Sequence, residues 1–382
     1  MRTLLITGPG GSGRTTAAAA TAVAAARAGN RTLLLATDRT DTVTPVLGAG
    51  DVPGLTVRLL DAAAGFREDL AALQERAASA LDLLGASRLD PEEITPLPGA
   101  EELALLRALR DAASAEAHDL LVVDLPPVAR ALDLLALPEE LRRCLRRLLP
   151  PERQAARALR PVLGRLAGVP LPAEWLYETA ARWDVELGAA EAVLADPGTS
   201  VRLVAEPGPA GADAVRTATL GLALRGLRTD LLIASRVLPE QVADAWLATP
   251  VAQQRKVLDE WRETHRVHVV PHLGRDPRGP DDLAELGLPG ADAAPGRVEW
   301  PVTDRLTRDG VLVWHIPLPG ARREDLDLIR RGDELAVTAG PFRRTVPLPS
   351  ALRRCTVDGA SLREGELRIR FRPDPGLWPR GR

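Results

Sequence analysis

Residues 3–29, TLLITGPGGSGRTTAAAATAVAAARAG, place an apolar run, a glycine-rich turn and an alanine-rich stretch in immediate succession. No other feature of the chain restricts its fold as much. The apolar run over 3–7 reads as a buried strand. The stretch 15–28 reads as a helix, because alanine is the strongest helix former. Between them, Gly8-Pro9-Gly10-Gly11-Ser12-Gly13-Arg14-Thr15 has two glycines five residues apart, followed by a cation and a threonine. Glycines let backbone N–H groups converge on an anion, and the helix N-terminus adds its positive end. The pattern points to a phosphate cradle made by Gly8, Gly10, Gly11, Ser12, Gly13, Arg14, Thr15 and Thr16. The Thr15 hydroxyl stands where such loops ligate Mg²⁺. The bland alternative is a glycine turn that merely packs helix on strand.

Further apolar runs of strand length occur at 32–36, 55–60, 120–123, 201–205, 231–234 and 267–270. Their continuity fits parallel strands buried on both faces. Helical patterns lie between them at 66–84, 101–117, 210–224 and 240–264. This alternation predicts an α/β fold, a doubly wound, mostly parallel sheet. From about 90 to 196 helical patterns dominate, and the arginine- and leucine-rich part reads as a helical insertion beside the sheet. It is either a cap with its own core or an apolar surface for a client. Residues 289–300 are rich in Pro, Gly and Asp and read as a linker after a first domain over 1–288. From 301 to 382 short alternating runs separated by turn residues predict a small all-β sandwich.

Two acids end buried runs at the carboxyl edge of the expected sheet, where such folds gather ligand groups. They are Asp38, in LLLATDRTD, and Asp124, in LLVVDLPP. Asp124 fits a water-mediated Mg²⁺ contact, and Asp38 fits orientation of an attacking water or the metal's outer shell. Either can also be a carboxylate capping the next element. Arg14 is the anomaly. A lysine ammonium is a compact point charge, whereas arginine carries the same charge on a larger planar fork. Catalysis of phosphoryl transfer rests mainly on transition-state charge. Arg14 therefore bears on turnover more than on binding.

These segments resemble the ArsA family, the arsenite-pump and tail-anchored-protein-targeting ATPases of the deviant Walker A class of P-loop nucleoside triphosphatases. The family's GKGGVGKT loop corresponds to GPGGSGRT, and its first switch to ATDRTDTVTP. Its second switch corresponds to VVDLPPVARALDLLALPE, which keeps Asp124, Pro127 and the Leu-Pro-Glu of 137–139. PLPGAEELALLRAL resembles the family's Pro-Gly-x-Glu-Glu segment, and the stretch ending ASRVLPE resembles the one ending VVNRVLP. There the resemblance implies adenine recognition, with Ser235 in the place of an asparagine. It further implies ATP and Mg²⁺ as cofactors and a homodimer that sandwiches nucleotide. The departures fall on charge handling. Both loop lysines are replaced, by Pro9 and Arg14, and the second-switch Thr, Gly and His by Leu125, Ala129 and Arg130. The expected function is an ATP-binding protein with weak or lost hydrolysis that handles hydrophobic protein segments or a membrane-associated client. The alternatives are an active ATPase of the pump or targeting type and a pseudo-ATPase scaffold. The region IPLPGARREDLDL through RTVPLP is similar to an α-crystallin (small heat-shock protein) domain, which implies a chaperone role.

Composition sets outer limits. Hydrophobic residues make up 45% of 382 and the net charge is −3, so no basic field argues for nucleic acid. No apolar run reaches the ~18–20 residues a bilayer span requires, so an integral membrane protein is not expected, and a cytoplasmic one is. The two cysteines, Cys144 and Cys355, lie far apart, so neither a zinc nor an arsenite site is expected. His118, His265, His268, His272 and His315 show no metal-ligand spacing.

Overall fold

The computed structural model spans residues 1–382 and describes all of them except 38–39, 77, 79–80, 83–84, 86, 150–173, 242–244, 291–295, 297 and 379–382. In chain order the first part contains β1 (Arg2–Thr7), α1 (Arg14–Arg27), β2 (Thr32–Ala36), α2 (Val43–Leu47), β3 (Leu55–Leu59), α3 (Ala62–Arg76) and α4 (Ala100–Ser114). It continues with β4 (Leu120–Asp124), α5 (Val128–Leu148), α6 (Glu174–Ala195), β5 (Thr199–Ala205) and α7 (Pro209–Leu224). It closes with β6 (Thr229–Val237), α8 (Ala245–Thr264), β7 (Val267–Pro271) and α9 (Gly279–Glu285). The strands form one seven-stranded sheet in the order β3-β2-β4-β1-β5-β6-β7, and every pairing is parallel.

Alternation along β1 shows why the apolar runs are continuous. Leu5 faces one core with α4, α5, α6 and α7, while Leu4 and Ile6 face another with α1. The helix α1 is small-residued because it lies close against the sheet; nine of its residues are buried, seven of them alanine. β3 departs from the expectation of full burial. It is the edge strand, and four of its five residues are exposed. The helix expected over 66–84 already begins at Ala62.

The C-terminal part contains β8 (Val302–Arg305), a short helix α10 (Leu306–Asp309), β9 (Val311–Pro317), β10 (Leu326–Arg331), β11 (Glu334–Ala339), β12 (Phe342–Pro347), β13 (Cys355–Arg363) and β14 (Glu366–Pro373). These strands form two antiparallel sheets, β10-β11-β12 and β13-β14-β9-β8. The sandwich is not a loose appendage. Leu335, Val337, Phe342 and Phe371 belong to the same buried cluster as Leu5 and Leu132. At Gly221 of α7 a Cβ would lie 2.7 Å from Leu132 Cδ1 and 2.9 Å from the Phe342 ring, so α7 is wedged between α5 and the sandwich.

Two polar ties reinforce this contact. Arg344 of β12 donates to Glu139 Oε2 at 3.0 Å and to the Leu224 carbonyl at 3.0 Å, and Arg147 pairs with Glu334. Within the sheet, Arg202 of β5 is wholly buried, where an unpaired charge would be costly. It donates to Asp230 at 3.1 Å and to the carbonyls of Pro289 and Gly290, the latter at 2.6 Å. The start of the linker stretch is therefore fastened beneath α1.

Candidate nucleotide site

The turn after β1 is shaped by one close approach and two left-handed positions, all at glycine. A Cβ at Gly8 would lie 1.9 Å from the Val204 carbonyl oxygen of β5, so residue 8 passes directly over the neighbouring strand. Gly11 and Gly13 have φ of 80° and 85°, the left-handed region that favours glycine. Gly13 is the N-cap of α1, and among the described residues no side chain caps that helix. Its first-turn N–H groups are thus left for an anion. Ser12 is 4% exposed, and its hydroxyl makes no hydrogen bond among the described residues. Gly10 and Gly11 lie at the exposed tip, and Thr15 and Thr16 are half-buried on the first turn of α1.

The loop is braced from the β6 side. The Ser235 hydroxyl donates to the Ser12 carbonyl at 2.8 Å. Arg236, with φ of 53°, donates to the Gly11 carbonyl at 2.9 Å and pairs with Glu206 at 2.6 Å. Arg236 has no counterpart in the sequence-derived set; nothing in SRVLP marks it as a clamp.

From the other side comes the segment after β4. Asp124 ends that strand opposite Ile6 and is 2% exposed. The Leu125 N–H donates to the Ile6 carbonyl at 2.9 Å, the Val128 N–H to the Gly8 carbonyl at 3.0 Å, and the Thr7 hydroxyl to the Pro126 carbonyl at 2.8 Å. Thr37 reaches across from β2 to donate to the Asp124 carbonyl at 2.7 Å. The Arg14 guanidinium donates to the Leu125 carbonyl oxygen. The loop cation is thus directed at the peptide that follows Asp124.

Arg130, in the first turn of α5, pairs with Glu101 and, at 3.0 Å, with Glu102. Hydrogen bonding to Glu102 is the main cause that raises its pKa above the usual arginine value. These acids begin α4, where negative charge also suits the helix dipole. Glu101, Glu102 and Arg130 had stood only as motif letters; the fold joins them. Asp38 falls outside the described residues.

Beside the loop a cavity of about 330 Å³ opens between the start of α1 and the ends of β6 and β7. Ser12, Thr16, Ser235, Arg236, Arg275 and Arg278 are among its polar lining, and Val46, Leu273 and Leu288 among its apolar walls. Its size and mixed lining suit a small organic ligand held next to an anion cradle. The residues present fit phosphate: a turn whose first glycine leaves no room for a side chain, an uncapped helix start and an orphaned buried hydroxyl. Thr15 and Asp124 are the oxygen donors at hand for Mg²⁺.

Comparison with known proteins matches residues 1–287 to the anion-transporting ATPase family ArsA, and residues 309–371 to the HSP20-like domain found in ArsA. An uncharacterized protein of Streptomyces coelicolor is 75% identical, with 100% of both chains covered. A Mycobacterium tuberculosis protein is 35% identical over 99% of this chain and 97% of its own. A protein of Aquifex aeolicus, provisionally named arsenical pump-driving ATPase 1, is 26% identical over 97% of this chain and 99% of its own. With most of its length matched to one profile and a relative similar from end to end, the chain belongs to the ArsA ATPase family, in the form that carries a C-terminal HSP20-like domain.

Proposed function

We propose that this protein binds ATP with Mg²⁺ at the Gly8–Thr15 loop and hydrolyses it slowly or not at all. The observation that carries the reading is the contrast within the loop. Its glycine geometry and helix start are those of a phosphate cradle, whereas its one cation, Arg14, is held by the Leu125 carbonyl. Backbone N–H groups of the loop, with Thr16 and Ser235, would bind and orient the nucleotide. Thr15 directly, and Asp124 through water, would hold a Mg²⁺ whose charge offsets that of the phosphates. Asp38 is the proposed orienting acid for water. Hydrolysis needs cations poised where charge develops in the transition state. Pro9 supplies neither a charge nor an N–H, and Arg14 would have to leave Leu125 first.

The working unit is proposed as a cytoplasmic homodimer, because one phosphate-loop half is present and the family sandwiches nucleotide between two. The cargo is proposed as an apolar protein segment or membrane-associated client, with the HSP20-like domain as the chaperone element. Two things support this: Leu148 and Val185, 78% and 72% exposed on α5 and α6, and the sandwich clamped to α5 by Glu139 and Arg147. Among the described residues no helix is long and apolar enough to cross a membrane. Two cysteines, one exposed and one buried, offer little to arsenite as cargo. The domain limits, 1–288 and 301–382 with a linker at 289–300, remain part of the proposal.

A calorimetric Mg·ATP titration with a phosphate-release assay tests this reading. Saturable micromolar binding is expected, with turnover well below the ~1 s⁻¹ lower end of typical enzymes. Absence of binding at millimolar ATP would sink the nucleotide reading. Turnover of ~1 s⁻¹ or more would sink slow hydrolysis.

A further inference from the structure

A second cavity, of about 600 Å³, lies between the α/β part and the sandwich. Leu135 of α5, Leu194 of α6 and Arg225 after α7 line it from one side; Trp300, Trp314 and Arg344 line it from the other. Its chemistry is lopsided. The two indoles meet edge to face with centroids 5.9 Å apart, and Trp314 Nε1 donates to the Trp300 carbonyl at 3.2 Å. The Trp300 indole N–H is buried and makes no hydrogen bond among the described residues. The same is true of Arg225 Nε.

The acceptors of the cavity, by contrast, are largely engaged. Glu139 takes the Arg344 guanidinium at 3.0 Å, and Glu191 takes Arg142. Glu299 is exposed. Burial lowers the Arg225 pKa from its usual value; Glu140, Glu139 and Asp133 oppose this through charge alone, without a hydrogen bond to Nε. A buried donor without an acceptor costs stability, and a buried guanidinium costs more. The unused capacity is thus two donors, one of them cationic, beside the edge-to-face indole pair, of which Trp314 is 3% exposed. Arg344 covers one face of the Trp300 ring from 5.3 Å, a second cation at this wall.

We propose that this interdomain cavity binds a planar aromatic anion. Its carboxylate accepts from the Arg225 guanidinium and the Trp300 indole N–H, and its ring packs on the Trp300–Trp314 wall. A carboxylate has an acceptor oxygen for each donor, and charge-assisted bonds of this kind are the strong ones. The cavity volume falls in the range that holds small organic ligands. The site is separate in composition from the phosphate loop and shares no lining residue with the cavity beside it. A ligand there would touch both α5 and β12, so it would also tie the sandwich to the helix that follows Asp124.

The test uses 2-naphthoate as probe and 2-naphthamide as its neutral counterpart. The full-length protein is titrated by calorimetry and by intrinsic tryptophan fluorescence. Saturable naphthoate binding with fluorescence change is expected, with the amide weaker by about tenfold or more. Arg225→Met should weaken naphthoate by about tenfold or more, and Trp300→Phe by several-fold, while leaving the amide nearly unaffected. Trp300→Phe keeps the ring and its packing, so it carries the test if Arg225→Met fails to fold. No saturable binding up to millimolar naphthoate overturns the proposal. Equal affinity for naphthoate in the natural protein and Trp300→Phe overturns it too, as does equal affinity for acid and amide.

Discussion

The phosphate loop and the segment after β4 meet at the same end of the sheet, yet they are constrained differently. The loop is fixed by space. Gly8 crosses over the Val204 carbonyl and Gly13 is left-handed, so a side chain there collides or strains. The segment from Asp124 to Arg130 is fixed by hydrogen bonds of its backbone, three of them to Thr7, Ile6 and Gly8, and its exposed side chains, Pro127, Ala129 and Arg130, are free to differ. Arg14 stands between the two regions: its position belongs to the loop and its hydrogen bond to the switch segment.

If space governs the loop, Gly8→Ala should have the largest effect of any single change near the site. Relieving a 1.9 Å contact with main chain requires moving β5 or the loop. A loss of about 3 kcal/mol in stability is expected, together with more than about a 100-fold loss of ATP affinity. Calorimetry and thermal melts measure both, and an unperturbed variant would break the comparison.

If chemistry alone governs the switch side, Arg130→Ala should be mild. The arginine is half-exposed, and its pairs with Glu101 and Glu102 contribute about 1 kcal/mol at most. Nucleotide affinity should change by less than about threefold; a larger loss would show that the segment is as tightly specified as the loop.

A still smaller effect lies away from both regions. His265 joins α8 to α7, with Nε2 3.0 Å from the Thr219 hydroxyl and Nδ1 2.8 Å from that of Thr264. Burial lowers its pKa from the usual 6.5. The unfolded chain then binds the proton more readily, so its stabilising share is present above pH ~6.5 and is lost as pH falls further. Denaturant melts from pH 7 to 6 should show a loss under about 1 kcal/mol that disappears in His265→Asn, with ATP affinity unchanged. A shift in ATP affinity with the same midpoint would tie His265 to the site.

Much of this architecture is legible in the sequence because it depends on local demands. The strand–glycine–helix order over 3–29, the continuous apolar runs and the alternating C-terminal runs each reflect a period or a backbone need. Contacts between distant residues are not. Arg14 meets the carbonyl of a residue 111 positions away, and Glu139 meets Arg344, 205 positions away. No periodicity encodes either. Arg202 is an intermediate case: an arginine inside the apolar run TSVRLVA hints at a buried charge, but not that the carbonyls of Pro289 and Gly290 receive it. The exposed edge of β3 escapes reading because LTVRL alternates weakly and edge position depends on strand order.

The sharpest check is phosphate release by Pro9→Lys/Arg14→Lys set beside that of the natural protein, with ATP affinity measured on both. Arg14 and Pro9 stand where the loop resemblance implies lysines, while the glycines, Thr15 and Asp124 are present. The expected result is similar affinity and turnover at least tenfold higher in the double variant, about 1.4 kcal/mol of barrier. Turnover in the natural protein that equals or exceeds the variant's would contradict the assignment of slow hydrolysis to these two residues.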